Sequence, residues 1–345
     1  MISIVICVYN GEKFIKKAID SVLKQTFADF ELIIVDDGST DQTSNICKLY
    51  AEEDNRIRII HQTNRGLGYS RRIGLNVAKG EWIAFLDADD WFEPNWIEDL
   101  YRETVEEPNV DIVIGNAYMC YEMNDGSIRK EERIAMSQHY VFGKEDSGFL
   151  IANTIAARIN SMNNLPVRGK RSVGTVWDKL YNIEFLREND INFIDTRLGE
   201  DMPFTSTCLT KAQKVVYSDS LGYNYLIVNS SLSHRHDYKY VQFNQDIISY
   251  YLQNLDVKLE VVRRAIAVSQ VRFLMMDIER YFSYSESRDN VLRELEALIE
   301  SNDFLCAISY ADEKMEDMTN SEKKLFNLIR NKKYEEILKV SSWQN

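Results

Sequence analysis

The stretch "WIAFLDADDWFEP", residues 82–94, joins an apolar run to a cluster of acids: Trp82 to Leu86 reads as a buried strand, and Asp87, Asp89 and Asp90 follow within four positions. Like charges repel and carboxylates are costly to bury, so a positive partner is expected at the mouth of this strand. In the turn after the strand, Asp87 and Asp89 can face one side across Ala88. Two oxygens so placed suit a hard divalent cation, Mg2+ or Mn2+, which completes its shell with water and substrate phosphates. A short acidic turn also occurs as a solvated turn or as the cap of a following helix, here around Pro94 to Tyr101. The spacing alone does not decide between them.

Outward from this stretch the first third alternates strand and helix signals. Ile2 to Val8, "ELIIV" (31–35), Ile57 to Ile60, Trp82 to Leu86 and Asp111 to Ile114 read as strands. Between them, Ile15, Ala18, Ile19, Val22 and Leu23 share one helical face, Ile46, Leu49 and Tyr50 mark a second, and residues 69–78 form a third helix. Such alternation predicts an α/β fold, a mostly parallel sheet covered by helices on both faces. Ligands of such sheets bind at the carboxyl ends of the strands, where Tyr9, Asp36, Asp37 and the Asp87 cluster fall. Residues 116–225 are less regular, and "NSMNNLPVRGKRSVG" (160–174) reads as a basic loop. From about Tyr238 the pattern is helical. The last piece, "SEKKLFNLIRNKKYEEILKV", is one amphipathic helix or two short ones, packing on its own domain or offering a membrane-surface or subunit contact.

Composition bounds the function. The 345 residues carry 45% hydrophobic content, enough for a large domain with an appendage or for two domains. The 41 basic and 54 acidic residues give a net charge of −13, which argues against a general nucleic-acid binder. The five cysteines are scattered without a Cys-x-x-Cys pair, so neither a disulfide framework nor a zinc site is indicated. "MISIVICVYN" runs straight into a strand pattern without a basic leader, and no uncharged apolar run reaches the length of a membrane span. A cytoplasmic protein is expected, compatible with peripheral work at the inner membrane face.

Four blocks, "ISIVICVYNGEKFIKKAIDSVLKQTFADFELIIVDDGSTD", "NRGLGYSRRIGLNVAKGEWIAFLDADDWFEP", "VWDKLYNIEFL" and "LGEDMPF", span about residues 2–204. In order and spacing this chain resembles the family 2 glycosyltransferases, inverting enzymes of GT-A fold that move a sugar from a nucleotide diphosphate to an acceptor hydroxyl and often build bacterial surface polysaccharides. The resemblance implies a GT-A catalytic domain over residues 1–235, with an α-helical region over 236–345. It implies that Tyr9 lies beside the nucleotide base and that Asp37 accepts a hydrogen bond from it. A carboxylate pairs with the N3–H of uracil but not with the bare N3 of cytosine, which favours a UDP-sugar donor. For Asp36 and Asp37 an N-cap or Asx-turn role competes, and for Tyr9 a place in the core.

Where family members show an Arg–Asn pair, Arg71 keeps the arginine and Arg72 replaces the asparagine. Arg71 should project toward the nucleotide phosphates or the Asp87 cluster; for Arg72 a surface salt bridge is the better reading. Asp89 is then the direct metal ligand, Asp87 holds the ribose or completes the metal shell, and Asp90 faces away and orients the turn. Asp201 matches the general base, with Glu200 as substitute and helix capping as the competing role. Trp177 and Lys179 are placed on the acceptor side, or Trp177 in the core. His234 or His236 falls where some members bring a histidine to the metal, against a surface or packing role. The loop with Arg168, Lys170 and Arg171 would close over the diphosphate. The acceptor is a saccharide, lipid-linked or otherwise.

The first strand is not followed by a Gly-rich phosphate loop, which sets aside nucleotidyltransferase and dinucleotide dehydrogenase readings. A catalytically inactive scaffolding subunit remains the alternative from another class.

Overall fold

β1 (Ile2–Val8), seven buried residues in a row, has sheet neighbours on both sides and helices on both faces, which is why it reads as continuously apolar. It opens a βα series in the computed structural model: α1 (Ile15–Leu23), β2 (Phe30–Asp36), α2 (Thr43–Glu53), β3 (Ile57–His61), α3 (Leu67–Val77), β4 (Trp82–Asp87), β5 (Trp91–Phe92) and α4 (Trp96–Glu106). There follow β6 (Ile112–Glu122), β7 (Ile128–Arg133), β8 (Tyr140–Gly143), α5 (Ser147–Ala156), β9 (Lys179–Asn182), α6 (Ile183–Glu188), α7 (Asp201–Lys211) and β10 (Lys214–Ile227). Helices α8 (Lys239–Asn254), α9 (Glu260–Asp277), α10 (Arg288–Ile299), α11 (Asn302–Ser309), α12 (Asn320–Arg330) and α13 (Tyr334–Ile337) complete the chain. The structure describes residues 1–123, 125–133, 139–156, 174–194, 199–227, 239–282, 288–311 and 318–339.

Among the described residues the strands form one sheet in the order β3-β2-β1-β4-β9-β6-β10-β5, with β7 on β6 and β8 on β10. The run β3-β2-β1-β4 is parallel, as expected from the alternating pattern. Beyond it the sheet is mixed: β9 is antiparallel to both β4 and β6, β10 is parallel to β6, and β5, β7 and β8 pair antiparallel. The expectation of a mostly parallel sheet is corrected to that extent. Apart from the two-residue β5, the antiparallel strands β7, β8 and β9 come from the less regular segment 116–225.

Strand parity assigns the two faces. The even residues Ile2, Ile4, Ile6, Trp82, Ala84 and Leu86 pack in one core cluster with Ile15, Ala18, Ile19 and Val22 of α1 and with Trp96, Ile97 and Leu100 of α4. The odd face carries Val5 against α3 and Phe85 against Phe193 and Phe204, whose rings stack at 3.9 Å. Asp87 continues the odd series 83, 85, 87, so it emerges on the face of α3 and α7.

Two compact units result, one of Met1–Ser147 with Pro166–Asn229, the other of Gly148–Leu165 with Ser230–Asn345. From Gly148 on, α5 thus belongs to the helical unit although it precedes residue 235: Ser269 Oγ of α9 donates to the Ile155 carbonyl. The final stretch is two helices, α12 and α13. Its apolar face is covered within its own unit, with Leu325, Phe326, Ile329 and Ile337 all buried. No described helix is long and apolar enough to cross a membrane.

Candidate active site

Two loops at the carboxyl ends of β1 and β2 are stitched together. Asn10, in a left-handed conformation with φ 51°, accepts the Thr40 N–H at 2.7 Å and donates its own N–H to Ser39 Oγ at 3.0 Å. Gly11 N–H bonds Thr43 Oγ1 at 2.9 Å, and Thr43 Oγ1 donates to Asp41 at 2.6 Å. In "DDGSTD" the acid at the start of α2 is therefore Asp41, which also accepts the Thr43 N–H at 3.0 Å. Asp36 braces this turn, accepting from the Ser39 N–H three residues on at 2.9 Å, and its other oxygen faces His61 Nδ1 at 3.1 Å. Tyr9 is 52% exposed, which removes the core-aromatic reading and leaves a ring face open at the strand end.

Asp37 is buried and braces the 62–66 segment. Its Oδ1 accepts from Gln62 Nε2 at 2.7 Å and Arg65 N at 2.9 Å, and its Oδ2 accepts from Gly66 N at 2.8 Å. Gly66 has φ 91°, a conformation strained for residues with a side chain, and it turns the chain into α3. Each carboxylate oxygen accepts two hydrogen bonds, so the three on Asp37 leave one acceptor direction on Oδ2.

Arg71 is the hub. It is 2% exposed. Nη2 donates to Asp87 Oδ1 at 2.6 Å, and Nη1 donates to Glu200 Oε1 at 2.6 Å and to Asp201 Oδ1. Gly74 lets α3 lie this close to the sheet, since a Cβ there would run into the Val5 side chain. Arg71 therefore meets the Asp87 cluster and is the positive partner that the acid-rich strand end called for. Asp201 is the first residue of α7, where the helix dipole favours an anion, and no side-chain cap bond is made at the Glu200 cap position, so capping does not explain the pair.

Burial dominates the electrostatics. It pushes the Glu200 carboxyl up to about 8 against the opposing pull of Arg71, with Asp201 adding to the rise. Asp89 is pushed up to about 6 by burial and then by the Asp87 charge. Asp90 is fully buried and raised further, although Tyr223 Oη donates to it at 2.6 Å and Leu226 N at 2.7 Å. It faces β10, away from Arg71. Asp87, Asp89, Glu200 and Asp201 together bring four negative charges against the one of Arg71, which leaves three uncompensated when all are ionised. A surplus of hard carboxylate oxygens of this kind fits a divalent cation. No group of three or more His, Cys, Asp or Glu among the described residues could hold one unaided, so substrate oxygens would complete the shell.

Other sequence-stretch expectations resolve differently. Lys179 is 1% exposed and its ammonium donates to Asp178 Oδ1 at 2.5 Å and to the Thr175 carbonyl, so it does not line an acceptor site. Trp177 is a core residue, stacked on Tyr223 at 4.2 Å and Tyr225 at 5.5 Å. Arg72 lies over the Tyr69 ring at 4.8 Å. His234, His236, Arg168, Lys170 and Arg171 lie outside the described residues. Sequence reasoning missed Tyr223 and Tyr225; the alternation in "YNYLI" (223–227) signals a strand, but Gly222 and the polar "SDS" before it hid the strand's length.

Residues 3–164 match the model of glycosyl transferase family 2. Glycosyltransferase GlyA of Streptococcus pneumoniae serotype 4 is 32% identical over 232 residues, covering 67% of this chain, while the chain spans 31% of GlyA. Among solved structures, S. aureus TarS 1–349 in complex with UDP-GlcNAc superposes with a TM-score of 0.71 at 22% identity, covering 99% of this chain and 90% of that one. The mannosyltransferase PcManGT from Pyrobaculum calidifontis in complex with GDP-Man and Mn2+ gives 0.53 at 12% identity, covering 100% and 86%. The fold, a central mixed sheet flanked by helices with a helical C-terminal region, is thus the GT-A arrangement of TarS. With its Asp87–Asp90 turn and its "GED" segment brought together on Arg71, the chain belongs to the family 2 glycosyltransferases.

Proposed function

We propose that this chain is an inverting glycosyltransferase that moves a sugar from a UDP-sugar to an acceptor hydroxyl of a growing glycan. The observation that carries this is the buried Arg71, which ties the acidic strand end to the start of α7, so that a metal–diphosphate site and a base share one ion network. The exposed Tyr9 ring stacks on the uracil, and the remaining acceptor direction of Asp37 Oδ2 takes its N3–H. The neighbour bound to UDP-GlcNAc supports uridine, and the neighbour bound to Mn2+ supports a divalent cation. Asp89 and Asp87 hold that cation, which when bound supplies Lewis-acid neutralisation of the diphosphate leaving group.

Asp201 takes the proton of the attacking hydroxyl on the face opposite the leaving group, and Arg71 orients its carboxylate. Glu200 is too buried, at 2% exposed, to meet an acceptor, and serves to hold Arg71 in place. The reaction belongs to the first unit; a surface polysaccharide made at the inner membrane face from the cytoplasm is the setting that the family suggests. The test is release of UDP across a panel of UDP-sugars, with and without Mn2+, from the wild type and Asp89→Ala. Metal-dependent release from one donor, abolished by the substitution, is expected; no release from any donor, with a mixed glycolipid acceptor present, overturns the reading.

A further inference from the structure

The turn at residues 87–90 hangs from β10 as much as from β4. Tyr223 Oη donates to Asp90 Oδ2 at 2.6 Å and accepts the Asp87 backbone N–H at 3.2 Å. One hydroxyl thus touches the first and last residues of the turn, which is closed internally by the Asp90 N–H on the Asp87 carbonyl at 3.0 Å. The free oxygen of Asp90 accepts the Leu226 N–H at 2.7 Å, and directly after the turn Trp91 and Phe92 pair antiparallel with Asn224 and Tyr223. The Tyr223 ring is wholly buried, stacked on Trp177 and edge-on to Phe92 at 5.7 Å, so packing fixes where its hydroxyl sits. Asp90 is wholly buried too, and both its oxygens bond β10. A carboxylate buried at such cost without reaching the crevice is explained by the geometry it enforces.

We propose that Tyr223 is a positioning residue: through the Asp87 amide and the Asp90 carboxylate its hydroxyl sets the turn so that the side chains of Asp87 and Asp89 converge on one divalent cation. This rests on the function proposed above. Bracing groups that orient metal-binding carboxylates typically alter metal affinity by about 10–100-fold when removed. Tyr223→Phe keeps the ring stack and deletes only the hydroxyl.

The measurement is Mn2+ binding to the UDP-saturated protein, read as loss of the free Mn2+ electron paramagnetic resonance signal, beside UDP binding without metal. Tyr223→Phe should bind Mn2+ at least about tenfold more weakly, with metal-free UDP affinity unchanged because Tyr9 and Asp37 lie apart from this turn. Wild-type Mn2+ affinity in a folded Tyr223→Phe protein overturns the proposal, as does an equal loss of UDP affinity, which marks general disruption. Should Tyr223→Phe fail to fold, Asp90→Asn, which keeps the shape and one acceptor oxygen, is judged by the same criterion. If the wild type itself binds no Mn2+ with UDP and releases none, it is the proposed function that fails.

Discussion

Residues 1–106 and residues 107–227 build one sheet by different rules. The first stretch lays down β1 to β4 in parallel with a helix after each of the first three, and β1–β2 and β2–β3 pair successive strands before β4 returns to the other side of β1. The second inserts β9 between β4 and β6 and runs β10 beside β6, so that β9 with β4 and β10 with β6 join residues about a hundred positions apart. Local order is written in periods of two and 3.6, whereas long-range pairing leaves no periodic trace. The candidate site needs both. Asp87, Asp89 and Arg71 come from the first stretch, and Glu200, Asp201 and Tyr223, which bond Arg71 or the Asp87 turn, come from the second.

The sharpest way to break this dependence is Arg71→Leu, which leaves Asp87, Glu200 and Asp201 without their shared cation. Removing one partner from a buried ion network costs about 3–5 kcal/mol, so a large fall in urea stability and loss of UDP release are expected. The pH dependence has a definite sign. A carboxyl raised in the folded state, as Glu200 is to about 8, binds a proton that the unfolded chain releases, so its contribution is full below the unfolded value and is lost as pH rises through 8. Without Arg71 the rise is greater, and the variant's deficit should shrink on acidification toward about pH 5. A deficit independent of pH would show that the carboxylates are not what the arginine holds.

Asp201→Asn tests the contribution of the second stretch to chemistry alone. It is nearly isosteric, so folding and UDP binding should persist, while turnover falls by about 10²–10⁴-fold, the usual worth of a general base. Near-normal transfer would remove Asp201 from that role and return the site to the first stretch.

How far the site was legible follows from the same contrast. Arg71 and Asp87 sit in a helix and at a strand end within a regular alternation, so their meeting could be inferred from the elements. Lys179 and Trp177 misled because an aromatic and a lysine two positions apart look like a sugar-binding pair, while Lys179 is buried at the start of β9 and Trp177, just before it, stacks on Tyr223 and Tyr225. Tyr223 could not be placed, because what makes it matter is a bond to Asp87, 136 positions away. Gly74 was an ordinary helix residue until α3 was seen to lie on Val5.

Gly74→Ala probes that close approach. The added methyl meets a β-branched side chain in the core, so about 1–3 kcal/mol of destabilisation is expected from overpacking, together with weaker turnover as α3 and Arg71 are displaced. Asp41→Ala is milder: it removes the carboxylate that holds Thr43 at the start of α2, worth about 1 kcal/mol in urea unfolding.

The smallest effect is expected within the legible stretch itself, where the period was misjudged at one residue. Ile46, Leu49 and Tyr50 suggest a single face of α2, but the buried residues are Thr43 and Cys47, with Ile46 and Tyr50 packed beside them. At 3.6 residues per turn, Leu49 points about 120° away from the centre of that group. It is 61% exposed accordingly. Surface substitutions away from special features change stability by less than about 0.5 kcal/mol, so Leu49→Gln should leave the urea midpoint unmoved. A loss above about 1 kcal/mol would mean that Leu49 is covered in solution, and that the outer face of α2 has a partner that local periodicity had marked after all.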